Sequence, residues 1–186
     1  ILRGLVGSEM CIRDRDSPKE WAVHLDILRR IQVETGGFTE FVPLSFVHYD
    51  SPLYLESPSL VRAGATDNEI ELMHAVARIV LHGFIDNIQV SWTKLGAEKA
   101  RNLLSMGVND LGGTLMNESI SRAAGSKNGQ EITETEMVEI IRSASKIPIK
   151  RDTLYRKLKT YDSEVSIAGH DPLVSRNGSN PLSFLN

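Results

Sequence analysis

Polar residues set inside stretches that otherwise read as buried strands are where this sequence could do chemistry. Asn87, Gln89 and Ser91 alternate with Ile88, Val90 and Trp92, which puts hydrogen-bonding groups along one whole face of a strand. A strand of a parallel sheet covered on both sides is apolar on both faces, so this alternation marks either a ligand-facing surface or a half-exposed edge. Glu40 lies among Phe38, Phe41, Val42 and Leu44. A carboxylate there needs a partner, either a cationic ligand or an arginine such as Arg122. Asp110-Leu111-Gly112-Gly113-Thr114 ends an apolar stretch in two glycines and a hydroxyl, just before a short helix. Glycines let a ligand approach the backbone and a helix start offers free amides, but a plain tight turn requires the same glycines.

The histidines divide into two cases. His74, Arg78 and His82 are spaced by four on one helix and read as a solvated stripe opposite Ile70, Met73, Val76 and Val80, with no carboxylate to complete a metal triad. His48 follows the C-terminal end of a strand, where barrel active sites gather, and both a functional role and ordinary loop packing stay open for it. No Walker loop, dinucleotide fingerprint, zinc helix motif or serine nucleophile elbow occurs. A chain without acid–base or nucleophilic machinery suits chemistry carried by a cofactor.

The elements that must position these residues follow from local signals. Ser17-Pro18-Lys19-Glu20 is a capping box that predicts a helix over 18–35, with Trp21, Leu25, Leu28, Ile31 and Thr35 following at spacings of three and four and Gly36-Gly37 as its stop. Residues 38–46 read as a strand, and Thr66-Asp67-Asn68-Glu69 caps a helix running to His82. Strands are expected at 88–92 and 108–111, and helices at 97–106, at 118–124 and after Thr133, the last turning Met137, Ile140 and Ile141 inward. Alternating strands and helices imply an α/β fold with a parallel sheet and right-handed crossovers, although three strands do not close a barrel. The connection 47–65 is long enough to be functional.

The bulk properties narrow the class. The chain has 186 residues, 41% hydrophobic and 24% charged, ordinary for a globular protein but short of the roughly 250 residues of a complete (β/α)8 barrel. A net charge of −3 and a pI near 6.0 argue against nucleic acid as a partner. No apolar run could span a membrane, so a cytoplasmic protein is expected. The single cysteine, Cys11, supports neither a disulfide framework nor a thiolate metal site. Residues 1–15, with the run GSEMCIRDR, look like translated sequencing-adaptor DNA and are expected not to belong to the fold. That leaves 16–160 as the folded part, and 161–186, polar and without period, as a mobile tail. Sequons at Asn117 and Asn177 would go unused in the cytoplasm.

Several stretches together resemble one family. They include Glu34-Thr35-Gly36-Gly37-Phe38-Thr39-Glu40-Phe41-Val42-Pro43-Leu44, His74-Ala75-Val76-Ala77-Arg78, Asn87-Ile88-Gln89-Val90-Ser91-Trp92 and the run GVNDLGGTLMNESISRAAG over 107–125. These are similar to the C-terminal part of the tyrosine-using subunit of FO synthase, the CofH type, over about residues 18–155. The resemblance implies the C-terminal part of an incomplete TIM-type radical S-adenosylmethionine (SAM) barrel. In that family a 4Fe-4S cluster held by three cysteines cleaves SAM to a 5'-deoxyadenosyl radical. The radical attacks tyrosine, whose hydroxybenzyl group is joined to 5-amino-6-(D-ribitylamino)uracil in deazaflavin coenzyme biosynthesis.

The resemblance further implies that the cluster-binding cysteines lie outside this chain, which is expected to be inactive alone. It also implies an FO synthase partner subunit or fused domain. Glu40, Gln89, Ser91 and Asp110 would face the barrel lumen and meet tyrosine, the diaminouracil or SAM. His48, Trp92, Gly112, Gly113, Thr114 and Glu118 would line its mouth. Asn128 departs from the family, where histidine is expected. Two alternatives remain: a sister radical SAM enzyme of futalosine metabolism, and a noncatalytic binding domain.

Overall fold

In the computed structural model, residues 6–12 (backbone only), 17–56, 59, 62–115, 123, 125 and 131–161 are described. The expected helix at 118–124 with Glu118 and Arg122, Asn128, and the tail beyond Tyr161 lie outside these residues. So do the ends of the 1–15 segment.

Reciprocal capping starts the main helices. The Ser17 amide donates to Glu20 Oε2 at 2.6 Å at the head of α1 (Pro18–Thr35), which stops at Gly36, a left-handed position with φ 58°. Thr66 and Glu69 exchange bonds of 3.3 and 2.7 Å before α3 (Asp67–Val80), the first long helix after the one-turn α2 (Pro52–Glu56). Thr133 and Glu136 do the same before α6 (Glu134–Ser143). Between them lie α4 (Trp92–Leu95) and α5 (Ala97–Leu103).

Parallel pairing runs through four extended segments in chain order. β1 (Val6–Ile12) lies parallel to β2 (Phe38–Ser45), so the segment left out of the sequence-based fold is paired here through its main chain. On the other side of β2, Phe41 bridges Ile88, and Gln89 in turn bridges Asp110, both parallel. The bonds Phe41 N to Asn87 O, Gln89 N to Phe41 O, Asn109 N to Ile88 O and Val90 N to Asp110 O, all 2.9–3.1 Å, carry the pairing. The strands expected at 88–92 and 108–111 are thus only short bridged segments. Trp92 is not their last residue but the first residue of α4, because Ser91 already serves as that helix's N-cap. α5 is likewise shorter than the expected helix, ending at Leu103 in turns that lead to Gly107.

Helices cover one face of this sheet. Trp21, Leu25 and Leu28 of α1, Ile70, Met73 and Ala77 of α3, and Ala100 and Leu103 of α5 close over Phe41, Ile88 and Val90, with Met137, Ile140 and Ile141 of α6 at the margin. Two expectations for helix faces are corrected. The stripe of Trp21, Leu25 and Leu28 does not continue through Ile31 and Thr35, which are exposed, and Ile31 with Val23 and Ile27 forms an uncovered apolar stripe on α1 at four-residue spacing. His74 is not solvated but 1% exposed, because the packed face of α3 runs through 70, 73, 74 and 77, the i, i+3, i+4, i+7 set. Its Nδ1 lies 2.7 Å from the Ile70 carbonyl, and Nε2 has no partner among the described residues. Burial pushes the ring's pKa below its ordinary value, and the charge of Lys99 adds to this. His82 is exposed, as the stripe requires.

A C-terminal hairpin was not anticipated. β3 (Ile149–Arg151) and β4 (Lys157–Thr160) pair antiparallel around a turn in which Asp152 Oδ1 accepts from the amides of Leu154 and Arg156, both at 2.9 Å.

Candidate functional site

Alternation along the extended segments decides which side chains share a face. Phe41, Ile88 and Val90 enter the helix-covered core, so their neighbours Glu40 and Gln89 project from the opposite side. Asp110, next to the core residue Leu111, joins them there. Arg151 of the hairpin reaches across this face. Its Nε and Nη2 donate to Asp110 Oδ2 at 2.9 and 2.5 Å, and Nη2 lies 3.9 Å from Glu40 Oε2. The Tyr155 hydroxyl donates to the same Glu40 oxygen, and the Tyr155 ring lies 3.9 Å from the Arg151 guanidinium carbon. Asp110 Oδ1 accepts from the Gly112 amide at 2.7 Å.

Sequence reasoning therefore located the carboxylates but missed the residues that join them. Glu40 is partnered within the described residues by Tyr155 and Arg151. The arginine suggested from sequence, Arg122, is not described. The side chains of Glu40 and Arg151 are each 25% exposed, so this is a half-open polar surface rather than a sealed ion pair. For Arg151, burial lowers the pKa, but the bond to Asp110 and the charges of Asp110, Tyr155 and Glu40 together outweigh it and the net shift is upward. Burial, followed by the bond to Glu40, pushes the Tyr155 phenol well above the usual tyrosine range. Both groups stay protonated donors at any working pH.

The remaining candidates are spread around this centre. Gly112, at φ 73°, needs its missing Cβ for a reason internal to the fold: a methyl there would lie 3.1 Å from the Gln89 side-chain amide. Gly113 has open space beside it, and its carbonyl accepts from the buried Trp92 indole at 3.2 Å. The Ser91 hydroxyl sits 3.0 Å from that of Thr93. Thr114 is exposed, and Glu118 lies outside the described residues. His48 packs against Tyr49 at a tilt and against Tyr54 edge-on, with ring centroids 4.3 and 4.9 Å away, and shares no bond with the Glu40 and Asp110 group. No set of three or more His, Cys, Asp or Glu side chains among the described residues is arranged to hold a metal ion, and no described helix is long and apolar enough to cross a membrane.

Fold and site define an α/β chain that covers one side of a parallel sheet with helices and presents charge-paired polar groups on the other. Residues 35–164 match the family described as the CofH/MqnC C-terminal region, and the chain belongs to that family. It is 51% identical over 146 residues to the 5-amino-6-(D-ribitylamino)uracil--L-tyrosine 4-hydroxyphenyl transferase of Methanopyrus kandleri, covering 78% of this chain and 39% of that protein. It is 51% identical over 140 residues to the FO synthase of Mycobacterium leprae, covering 75% of this chain and 16% of that protein. The transferase of Methanothermobacter thermautotrophicus is 46% identical over 144 residues, covering 77% and 39%. The chain thus spans well under half the length of each of these relatives.

Proposed function

We propose that this chain is the C-terminal part of a cytoplasmic FO synthase of the tyrosine-using type. The whole enzyme joins the hydroxybenzyl group of tyrosine to 5-amino-6-(D-ribitylamino)uracil by SAM-derived radical chemistry. The chain's contribution is one wall of a TIM-type barrel. The observation that carries the reading is the shared polar face, on which three consecutive parallel segments put Glu40, Gln89 and Asp110 on the side away from the helix core. In a closed barrel that side is the lumen.

The chemistry of the face fits the substrates. Glu40, Asp110 and Arg151 sum to one negative charge, which leaves a carboxylate oxygen for the ammonium of an amino acid. The Gln89 amide can both donate and accept, as the edge of a uracil requires. SAM brings an ammonium and a sulfonium, and the same carboxylate suits either. The 4Fe-4S cluster does not fit this chain: a three-thiolate site needs three cysteines, and the sequence has one. The cluster belongs to the rest of the parent, together with the partner subunit or fused domain.

The family description spans two enzymes, which keeps the sister reaction of futalosine metabolism as the second reading. The relatives named above favour the first. The test is to extend the reading frame upstream in the source DNA, express the whole enzyme anaerobically, and offer it tyrosine with 5-amino-6-(D-ribitylamino)uracil and, separately, a futalosine-derived substrate. Coupled product from the first pair alone is expected. The present chain alone is expected to give neither 5'-deoxyadenosine nor product, and to aggregate through the bare stripe of Val23, Ile27 and Ile31. Turnover of the futalosine-derived substrate alone would replace this reading with the second.

A further inference from the structure

We propose that Arg151 and Tyr155 make the C-terminal hairpin part of the substrate site, as positioning residues that hold Glu40 ready for the ammonium of an amino-acid substrate. The inference rests on the functional reading above and deepens it by giving the hairpin residues a positioning role.

The first observation is the hairpin's inverted polarity. Ile149, Leu154 and Leu158 are 50–60% exposed, while Arg151 and Tyr155 turn inward. A hairpin docked for stability would bury its leucines, since apolar burial is favourable and taking a guanidinium out of water is costly. Arg151 is also not the hairpin's only tie. Lys150 pairs with Glu134 of α6 at 2.5 Å, and the Tyr161 hydroxyl donates to the same carboxylate.

The second observation is backbone strain at the same place. Tyr155 has φ 61°, a left-handed conformation that a residue with a Cβ adopts at a cost. Asp152 holds the turn in that shape: its carbonyl accepts from the Tyr155 amide at 3.1 Å, and its carboxylate binds Arg156 Nε at 2.6 Å. The strained residue is the one whose hydroxyl meets Glu40. Strain retained where a polar side chain is aimed points to a role for that aim.

The third observation is how the acceptors are used. Both oxygens of Asp110 are engaged, Oδ1 by the Gly112 amide and Oδ2 by two donors of Arg151. It anchors the arginine. Glu40 has Oε2 oriented by Tyr155 and, at longer range, by Arg151, while Oε1 accepts no bond among the described residues. The arrangement fixes one oxygen and presents the other. Arg151 and Tyr155 act through Glu40 rather than on the substrate.

The full-length parent tests this. Tyr155→Phe deletes one hydroxyl and keeps the ring under Arg151. It is expected to raise KM for tyrosine about tenfold, the size of one lost charge-assisted bond, with kcat and KM for the uracil within about twofold and the melting temperature unchanged. Arg151→Ala is expected to raise the same KM at least as much, and Arg151→Lys to recover part of the loss. A wild-type KM for tyrosine in both Tyr155→Phe and Arg151→Ala, with a lowered melting temperature, would make the hairpin a structural pin and overturn the inference. A wild-type parent that couples neither substrate overturns the functional reading itself, and the inference falls with it.

Discussion

Two arginines stitch this fold together, and they spend their donors differently. Arg78 binds neutral acceptors: the Gly107 carbonyl at 2.7 Å, the Asp86 carbonyl at 2.8 Å and Asn109 Oδ1 at 2.7 Å. Asn109 passes the contact on, accepting from the Ile88 amide at 2.9 Å and donating to the Asp86 carbonyl at 3.1 Å. This brace locks the loops that enter the 88–89 and 109–110 segments. Arg151 instead binds carboxylates on the polar face. An arginine on main-chain carbonyls meets partners whose charge never changes, so it serves geometry alone. An arginine between carboxylates sets a local charge balance that a ligand can alter.

That contrast predicts opposite phenotypes in the full-length parent. The largest expected effect is on stability, for Arg78→Ala, which strands the Gly107 carbonyl, takes one of two donors from the Asp86 carbonyl and from Asn109 Oδ1, and should cost about 3 kcal/mol with KM values unchanged in the folded fraction. Gly107→Ala should act in the same direction, since its Cβ would fall 2.6 Å from Arg78 Cβ at a residue with φ 101°. Thermal melts beside steady-state kinetics would decide it. A KM shift without a stability loss would erase the distinction.

Glu40→Gln should invert this pattern. It keeps the shape and removes the charge, so tyrosine affinity should fall by about 1.5–3 kcal/mol, roughly ten- to a hundredfold, with little change in melting temperature. Calorimetric titration with tyrosine measures it. Unchanged affinity with lowered stability would move Glu40 to the structural side.

Arg62 and Glu69 supply a control, a guanidinium–carboxylate pair of 2.5 Å at a helix start rather than on the polar face. Arg62, followed by the Thr66 amide, pulls the Glu69 carboxyl down to about 2. A depressed carboxylate stabilises the fold above its unfolded value near 4.5, and that contribution fades as pH falls toward 2. Glu69→Gln should therefore cost about 1 kcal/mol at neutral pH, the size of a lost cap, and less in acid, without touching either KM.

The smallest effect at neutral pH belongs to His74, which is uncharged there. Its folded pKa lies below the ordinary 6.5, so below that pH the unfolded chain binds more protons than the folded one. Stability should be complete above pH 6.5 and decline as pH falls through it. A His74→Phe variant should flatten that limb of the stability profile, and an unchanged limb would assign the acid loss elsewhere.

The parts of the fold legible in the sequence are those fixed by residues close in the chain. Capping boxes at Ser17, Thr66 and Thr133 gave the helix starts, and alternation around Gln89 gave the polar face. His74 was misplaced because its helix has two candidate stripes, and only the packing of α3 against α1 and β2 chooses between them. The hairpin went unseen because its strands have three and four residues, are rich in lysine and arginine, and surround a turn without glycine. The site's closing contacts join Arg151 to Asp110, 41 positions apart, and Tyr155 to Glu40, 115 apart. No local periodicity records such pairs.

The outer edge of β2 has a consequence of another kind. Residues 6–12 bond to it along its whole length, from Val6 beside Phe38 to Ile12 beside Ser45, through main-chain groups that every non-proline residue carries. An edge of this kind is a socket with little selectivity of its own. Residues 6–12 are joined to it through α1 in the same chain, so their pairing is intramolecular. In a longer chain, any extended segment destined for that edge must displace this tethered competitor. Because both offer the same main-chain bonds, the exchange is decided by side-chain fit against the polar face and the helices, weighed against the length of the tether.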